Sequence, residues 1–184
     1  CLVIVPSMSF DQELLKNVLG VEHYEERLLA MLLQLHNPAM HVIFCSSAPI
    51  ADVTVDYYLG LIPGVPSSHA RSRLTMISCD DLSRRPLTEN LLERPARPAE
   101  IKQALSHSQI AALVCMNTTG LERKLAVELG LPLIGNPPDL DHLGSKSGSR
   151  GIFREAGIDL PAGYEDLRDM QDVVRALADL KREH

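Results

Sequence analysis

The sequence predicts a doubly wound α/β domain, and three observations carry the prediction. Five short apolar runs punctuate the chain: Leu2–Val5, His41–Cys45, Leu74–Cys79, Ala111–Met116 and Pro132–Ile134. Four of them are continuous rather than alternating, as suits strands of a parallel sheet covered on both faces. Helical patterns lie between the runs, so strand and helix alternate along the chain.

The elements follow in order. The first run ends in the loop Pro6-Ser7-Met8-Ser9-Phe10. Val21, Tyr24, Leu28, Met31 and Leu35 then recur at three- and four-residue steps, which predicts an α-helix with one apolar stripe. Val55, Tyr58, Leu59 and Ile62 predict a shorter one between the second and third runs. Residues 84–98 hold three prolines and four arginines and read as a surface loop. Pro98 opens a helix through Leu105, because proline is well placed in a first helical turn. Thr118 or Thr119 can cap Leu121–Leu129, and Gly130 stops it. Two prolines in Asn136-Pro137-Pro138-Asp139 can continue neither a helix nor a central strand and mark a boundary. The expected organisation is a domain over 1–138 and the start of a second over 139–184, with helices Leu140–Ala156 and Glu165–Lys181.

Composition narrows the function classes. The chain has 184 residues, 45% hydrophobic and 23% charged, with net charge -6. That is ordinary globular composition. No Lys/Arg cluster dominates a segment, so nucleic acid is not an expected partner. No apolar run reaches the roughly 18 residues needed to span a bilayer, so no membrane partner is expected either. Cys1, Cys45, Cys79 and Cys115 form no C-x-x-C pair and read as buried free thiols of a reducing, cytoplasmic compartment. The chain starts inside a strand-like run without Met and reads as an excerpt of a longer polypeptide.

Ligands of open α/β sheets sit beyond the carboxyl ends of the strands. Those ends supply a polar rim: Ser7 and Ser9, Ser46-Ser47, Asp80-Asp81, Asn117 to Gly120, and Gly135-Asn136. Ser7, Ser9 and Asn136 are its candidate contacts. The first loop is not G-x-G-x-x-G, which disfavours a dinucleotide fingerprint, and no G-x-x-x-x-G-K-[ST] occurs. Asp80 and Asp81 are adjacent, point apart and read as caps. No H-E-x-x-H pair and no G-x-S-x-G elbow is present, so no metal site and no catalytic residue is assigned. Lys146 stands early in a helix, where exposed N–H groups already favour an anion. Arg150 lies four residues on, on the same face.

Three segments together resemble the opening of an ATP-grasp domain. They are Gly135-Asn-Pro-Pro-Asp139, Gly144-Ser-Lys146-Ser-Gly-Ser-Arg150, and Phe153-Arg-Glu-Ala-Gly157-Ile-Asp-Leu-Pro161-Ala-Gly163. The loop Pro6-Ser7-Met8-Ser9-Phe10 is similar to the first-strand loop of pheganomycin-type peptide ligases. The resemblance implies a three-layer, Rossmann-like pre-ATP-grasp domain with a mainly parallel sheet, followed by the first helices of an ATP-grasp domain. It implies a longer carboxylate–amine ligase that uses MgATP to form amide bonds through an acyl-phosphate, acting on small-molecule or peptide carboxylates and amines. Lys146 matches the family lysine near the ATP phosphates, and Arg150 the Ser-Arg position. The family's magnesium carboxylates lie in later segments, so ATP and Mg²⁺ are expected in the full-length protein and neither tightly bound here. This piece alone is expected not to catalyse, and a homodimer would cover its leftover apolar positions. The alternatives are a scaffold that keeps the fold without the activity, and a stand-alone nucleotide or nucleotide-sugar binder.

Overall fold

The computed structural model describes residues 1–10, 12–106 and 108–183, without the side chains of Leu14 and Glu22. The chain divides into two compact units, Cys1–Pro138 and Asp139–His184. The first unit carries β1 (Leu2–Val5), α1 (Gln12–Leu15), a long 3-10 helix (Val21–His36), β2 (Val42–Ser46), α2 (Asp52–Gly60), α3 (Ser67–Arg71) and β3 (Leu74–Ser78). It continues through α4 (Leu87–Glu93), α5 (Ala96–Leu105), β4 (Ala112–Cys115), α6 (Gly120–Leu129) and β5 (Leu133–Ile134).

The five strands form one sheet in the order β3-β2-β1-β4-β5, and every neighbouring pair is parallel. Central β1 pairs Val3 with Ile43 on one side and with Leu113 on the other. Alternation along each strand feeds two cores. Val3, Val5, Ile43, Cys45 and Ile77 pack with Leu87, Leu91, Ile101 and Leu125 from α4, α5 and α6. Ile4, Val42 and Phe44 pack with Leu29, Leu32 and Leu35 of the 3-10 helix and with Val55 and Leu59 of α2. The result is a Rossmann-like three-layer α/β/α fold. Among the described residues no helix is long and apolar enough to cross a membrane.

Besides the last helix, expected over Glu165–Lys181 and found over Met170–Glu183, three elements differ from the sequence expectation. The first stripe folds as a 3-10 helix rather than an α-helix. Its ends are held by bonds three residues apart, from His23 N–H to the Gly20 carbonyl and from Asn37 N–H to the Gln34 carbonyl. Fully buried Leu29, Leu32 and Leu35 repeat every three residues, and side chains at i and i+3 eclipse in this geometry. The Arg27 guanidinium accordingly lies 3.9 Å over the Tyr24 ring. Second, residues 84–98 are not a loop, because they hold α4 and the start of α5. Leu87 and Leu91, four residues apart, are buried in the core. Pro86 and Pro95 stand just before helices, where a missing N–H costs nothing. Third, the expected helix Leu140–Ala156 is broken.

At the boundary a 3-10 turn (Pro138–Leu140) leads into the second unit's α7 (Asp141–Gly144), then α8 (Lys146–Glu155) and α9 (Met170–Glu183). Extended Ser145 (ψ 162°) interrupts the helix and caps α8, accepting from Gly148 N–H at 2.9 Å. Gly157 closes α8 with φ of 68°, so that Ile158 N–H reaches back to the Phe153 carbonyl. Ile152, Phe153, Leu167, Val174 and Leu177 are exposed.

All four cysteines are free thiols. Burial pushes Cys79 up to about 11, Cys115 up to about 12, and Cys45 upward as well. Because the thiolate is the reactive species, these three should react slowly with an aromatic disulfide at about pH 8 in the folded protein and rapidly once it is unfolded. Mass mapping of the labelled protein checks this, and fast native labelling of Cys79 would contradict it.

Candidate functional site

The strand order reverses direction between β1 and β4, and the crevice beyond their carboxyl ends is where such folds bind ligands. The sequence fills that crevice with a buried polar network. Glu122, in the first turn of α6, is fully buried. Its Oε2 accepts from Thr119 N–H at 2.8 Å and Thr119 Oγ1 at 2.6 Å, the reciprocal half of a capping box. Its Oε1 accepts from Ser9 Oγ at 2.5 Å and Thr88 Oγ1 at 2.7 Å. Ser9 Oγ lies 2.5 Å from Ser7 Oγ, which accepts Thr88 N–H at 3.1 Å. Since the Ser9 proton goes to Glu122, Ser7 must donate to Ser9. The hydroxyls therefore form a directed chain ending on the carboxylate.

Ser7 and Ser9 are thus brought together, with both protons spent inside the network. They tie the first-strand loop to α4 and α6. Asn117 accepts Ser9 N–H at 3.4 Å, while its Nδ2 is buried without a partner. That leftover donor can meet an acceptor delivered to the crevice. Asn136 is not part of this group: its side chain is exposed, and its carbonyl accepts from Thr118 Oγ1 at 2.7 Å. Sequence reading missed Glu122 and Thr88 as site residues. The sequence pointed to Thr118 or Thr119 as a cap, but nothing local joins Glu122 to Ser9.

A cavity of about 150 Å³ opens beyond the carboxyl ends of β1, β2 and β3. Met8, Leu15, Val21, Ala48 and Leu87 line it, with Glu25 and Ser47. Glu25 Oε2 accepts Ser47 N–H at 2.7 Å and its Oε1 accepts Ser47 Oγ at 2.5 Å. Burial raises the Glu25 pKa against the lowering effect of those two bonds. Asp81, also on the lining, is held down at about 2 by hydrogen bonds from Ser83 and Arg94. Its Oδ1 accepts Ser83 N–H at 2.7 Å and Arg94 pairs with its Oδ2 at 2.6 Å, so it caps a turn. Asp80 faces Arg97 instead, at 3.4 Å.

In the second unit Lys146 is the first residue of α8 and is exposed. Among the described residues its ammonium pairs with no carboxylate. Arg150 does not join it. Arg150 Nε donates to Glu165 Oε1 at 2.6 Å and its Nη2 to the Gly163 carbonyl at 3.3 Å. Arg154 reaches the same Glu165 oxygen at 2.5 Å, and the two guanidinium groups hold that carboxyl below its usual range. Arg150 therefore ties the segment after α8 back onto the helix. Lys146 stands beside the first N–H groups of α8. Among the described residues no group of three or more His, Cys, Asp or Glu could hold a metal ion.

Fold and site define a Rossmann-like α/β domain joined to a second unit whose second helix, α8, starts with a lysine. No family model matches the sequence. It is similar to IQ motif-containing protein H of Danio rerio, 26% identical over 198 residues that cover 100% of this chain and 19% of that protein. It is also similar to L-propargylglycine--L-glutamate ligase of Streptantibioticus cattleyicolor, 25% identical over 186 residues, 95% of this chain and 37% of the enzyme. The chain thus spans well under half the length of either relative.

Proposed function

We propose that this chain forms the N-terminal part of an ATP-grasp carboxylate–amine ligase, with Lys146 as a contact to the nucleotide phosphates. The observation that carries the reading is the placement of Lys146: an exposed ammonium on the first residue of α8, after a capping serine, that pairs with no carboxylate among the described residues. The similarity to an amino-acid ligase along 95% of the chain supports it. When bound, MgATP would supply the phosphoryl group that activates a carboxylate for attack by an amine. Lys146 would orient and neutralise a phosphate there. Arg150, committed to Glu165, would shape the segment rather than touch the nucleotide. Carboxylates for Mg²⁺ would come from the part of the ligase's length that this chain does not span. The same part would cover the exposed side chains of α8 and α9. The reaction would take place in the cytoplasm, which suits four free thiols.

In the full-length polypeptide, Lys146→Ala should weaken ATP binding about ten- to a hundredfold, the worth of one charge-assisted hydrogen bond of about 1.5–3 kcal/mol. Nucleotide titration by calorimetry measures it, and unchanged affinity would refute the reading. The 184-residue chain alone should show no ATP-dependent ligation. A scaffold without catalysis is the second reading, favoured by the similarity along the whole chain to a protein named for its IQ motif. Full-length protein that neither binds nor consumes ATP would select it.

A further inference from the structure

We propose that the cavity beyond the carboxyl ends of β1, β2 and β3 binds an α-amino acid with a short apolar side chain, its ammonium held by Glu25. Size comes first. A cavity of about 150 Å³ is known to take a benzene-sized ligand of roughly six heavy atoms. The nitrogen, Cα and three side-chain carbons of an unbranched amino acid number about five, which leaves the carboxylate at the mouth. A nucleotide is far too large.

Chemistry comes second. The walls from Met8, Leu15, Val21 and Leu87 are apolar and suit an aliphatic side chain. Two acids line the cavity, and Asp81 is already taken by Ser83 and Arg94, which leaves Glu25. Each of its oxygens accepts one hydrogen bond from Ser47, which leaves a lone pair on each. Both donors are neutral, and among the described residues no cation pairs with Glu25. A half-buried carboxylate without a cation is costly, and a ligand ammonium would relieve that cost. The upward shift of the Glu25 pKa by burial points the same way.

Charge placement comes third. Of the basic side chains on the lining, Lys16 pairs with Glu13, and Arg85 with Glu89 and Glu93. Arg84 lines the cavity, is exposed, and among the described residues pairs with no carboxylate. A half-buried acid and an exposed guanidinium on the lining of a largely apolar pocket match the two ends of a zwitterion. Its identification as a substrate rests on the ligase reading, whereas the binding site stands on the cavity alone.

The test is calorimetry on the 184-residue chain without nucleotide, using L-norvaline, N-acetyl-L-norvaline and butylamine as probes. L-norvaline should bind. N-acetyl-L-norvaline, which lacks the ammonium, should bind at least about tenfold more weakly. Glu25→Gln should weaken L-norvaline by a similar factor. Arg84→Ala, at an exposed position where folding is not at risk, should weaken L-norvaline and leave butylamine unchanged. No L-norvaline binding at about 10 mM would overturn the proposal, since that is weaker than about 3 kcal/mol. So would equal binding of the acetylated probe, or an Arg84→Ala variant that binds L-norvaline like the parent. Binding of L-norvaline beside a failed Lys146→Ala test would refute the ligase reading and leave this site standing; the reverse result would remove only this site.

Discussion

Glu122→Ala is expected to destabilise the first unit by about 3 kcal/mol, against about 1 kcal/mol for Glu122→Gln. The alanine removes the acceptor of four donors at once. Thr119 N–H is fixed by the backbone and cannot turn elsewhere, and α6 loses half its capping box, a loss of about 1 kcal/mol in itself. The buried hydroxyl of Thr88 and the half-buried one of Ser9 are left with no carboxylate to receive them. Glutamine keeps the shape. With its oxygen toward Thr119, its amide N–H groups would face Ser9 and Thr88, whose hydroxyls can accept as well as donate. Reversing that chain offsets much of the lost charge–dipole attraction, and a neutral amide is easier to bury than a carboxylate without a cation. At about 2–4 °C per kcal/mol for a chain of this size, the alanine variant should melt roughly 6–12 °C lower. Urea unfolding with an unchanged m-value would place the loss in the folded state. Equal losses for the two variants would mean that the ionised carboxylate carries the whole effect and that the reversed chain through glutamine does not form.

The strands were legible because both faces of the sheet are covered. Val3 to Val5 and Val42 to Cys45 are buried side by side, and an uninterrupted apolar run is the direct trace of that burial. The bland reading of Asp80-Asp81 as caps also matches what Asp81 does. The first helix was misjudged because 3.6- and 3.0-residue patterns overlap over short stretches: Leu28 and Met31 stand three apart as in either, and Leu35 belongs both to the α-pattern and to the three-residue series Leu29, Leu32, Leu35. Only Leu29 and Leu32, inside the stripe but outside the α-pattern, separate the two. Residues 84–98 were misread because proline breaks a helix interior but suits its start, and the sequence alone does not say which. The site was legible only where it is local. Ser7 and Ser9 stand on a strand end and read as a rim, whereas their acceptor lies 113 residues from Ser9. Glu25 carried no signal, because its meaning depends on the end of β2 reaching it.

Gly148→Ala should destabilise the second unit by about 2 kcal/mol, while Gly151→Ala, three residues later in the same helix, should stabilise it by about 1 kcal/mol. Helix propensity favours alanine at both positions by about 1 kcal/mol. At Gly151 a Cβ would meet nothing within 4 Å, so propensity decides. At Gly148 it would stand 2.0 Å from the His142 carbonyl oxygen and 3.0 Å from the Leu143 Cα. Those atoms belong to the backbone and cannot rotate aside, so α7 and α8 must move apart at an overpacking cost of up to about 3 kcal/mol. The close approach is built in by Ser145. Its N–H and its Oγ both donate to the His142 carbonyl, which draws that carbonyl onto the first turn of α8. Only a residue without Cβ fits at the third helical position beneath it. The same break makes Lys146 the first residue of α8. Amide hydrogen exchange over residues 146–155 would read both variants: faster for Gly148→Ala, slower for Gly151→Ala. If the two shift alike, the α7–α8 contact does not constrain the helix. If Gly148→Ala loosens α8 as expected, the full-length variant should also lose ATP affinity without any change to Lys146 itself, because the lysine's place depends on the break that the glycine permits.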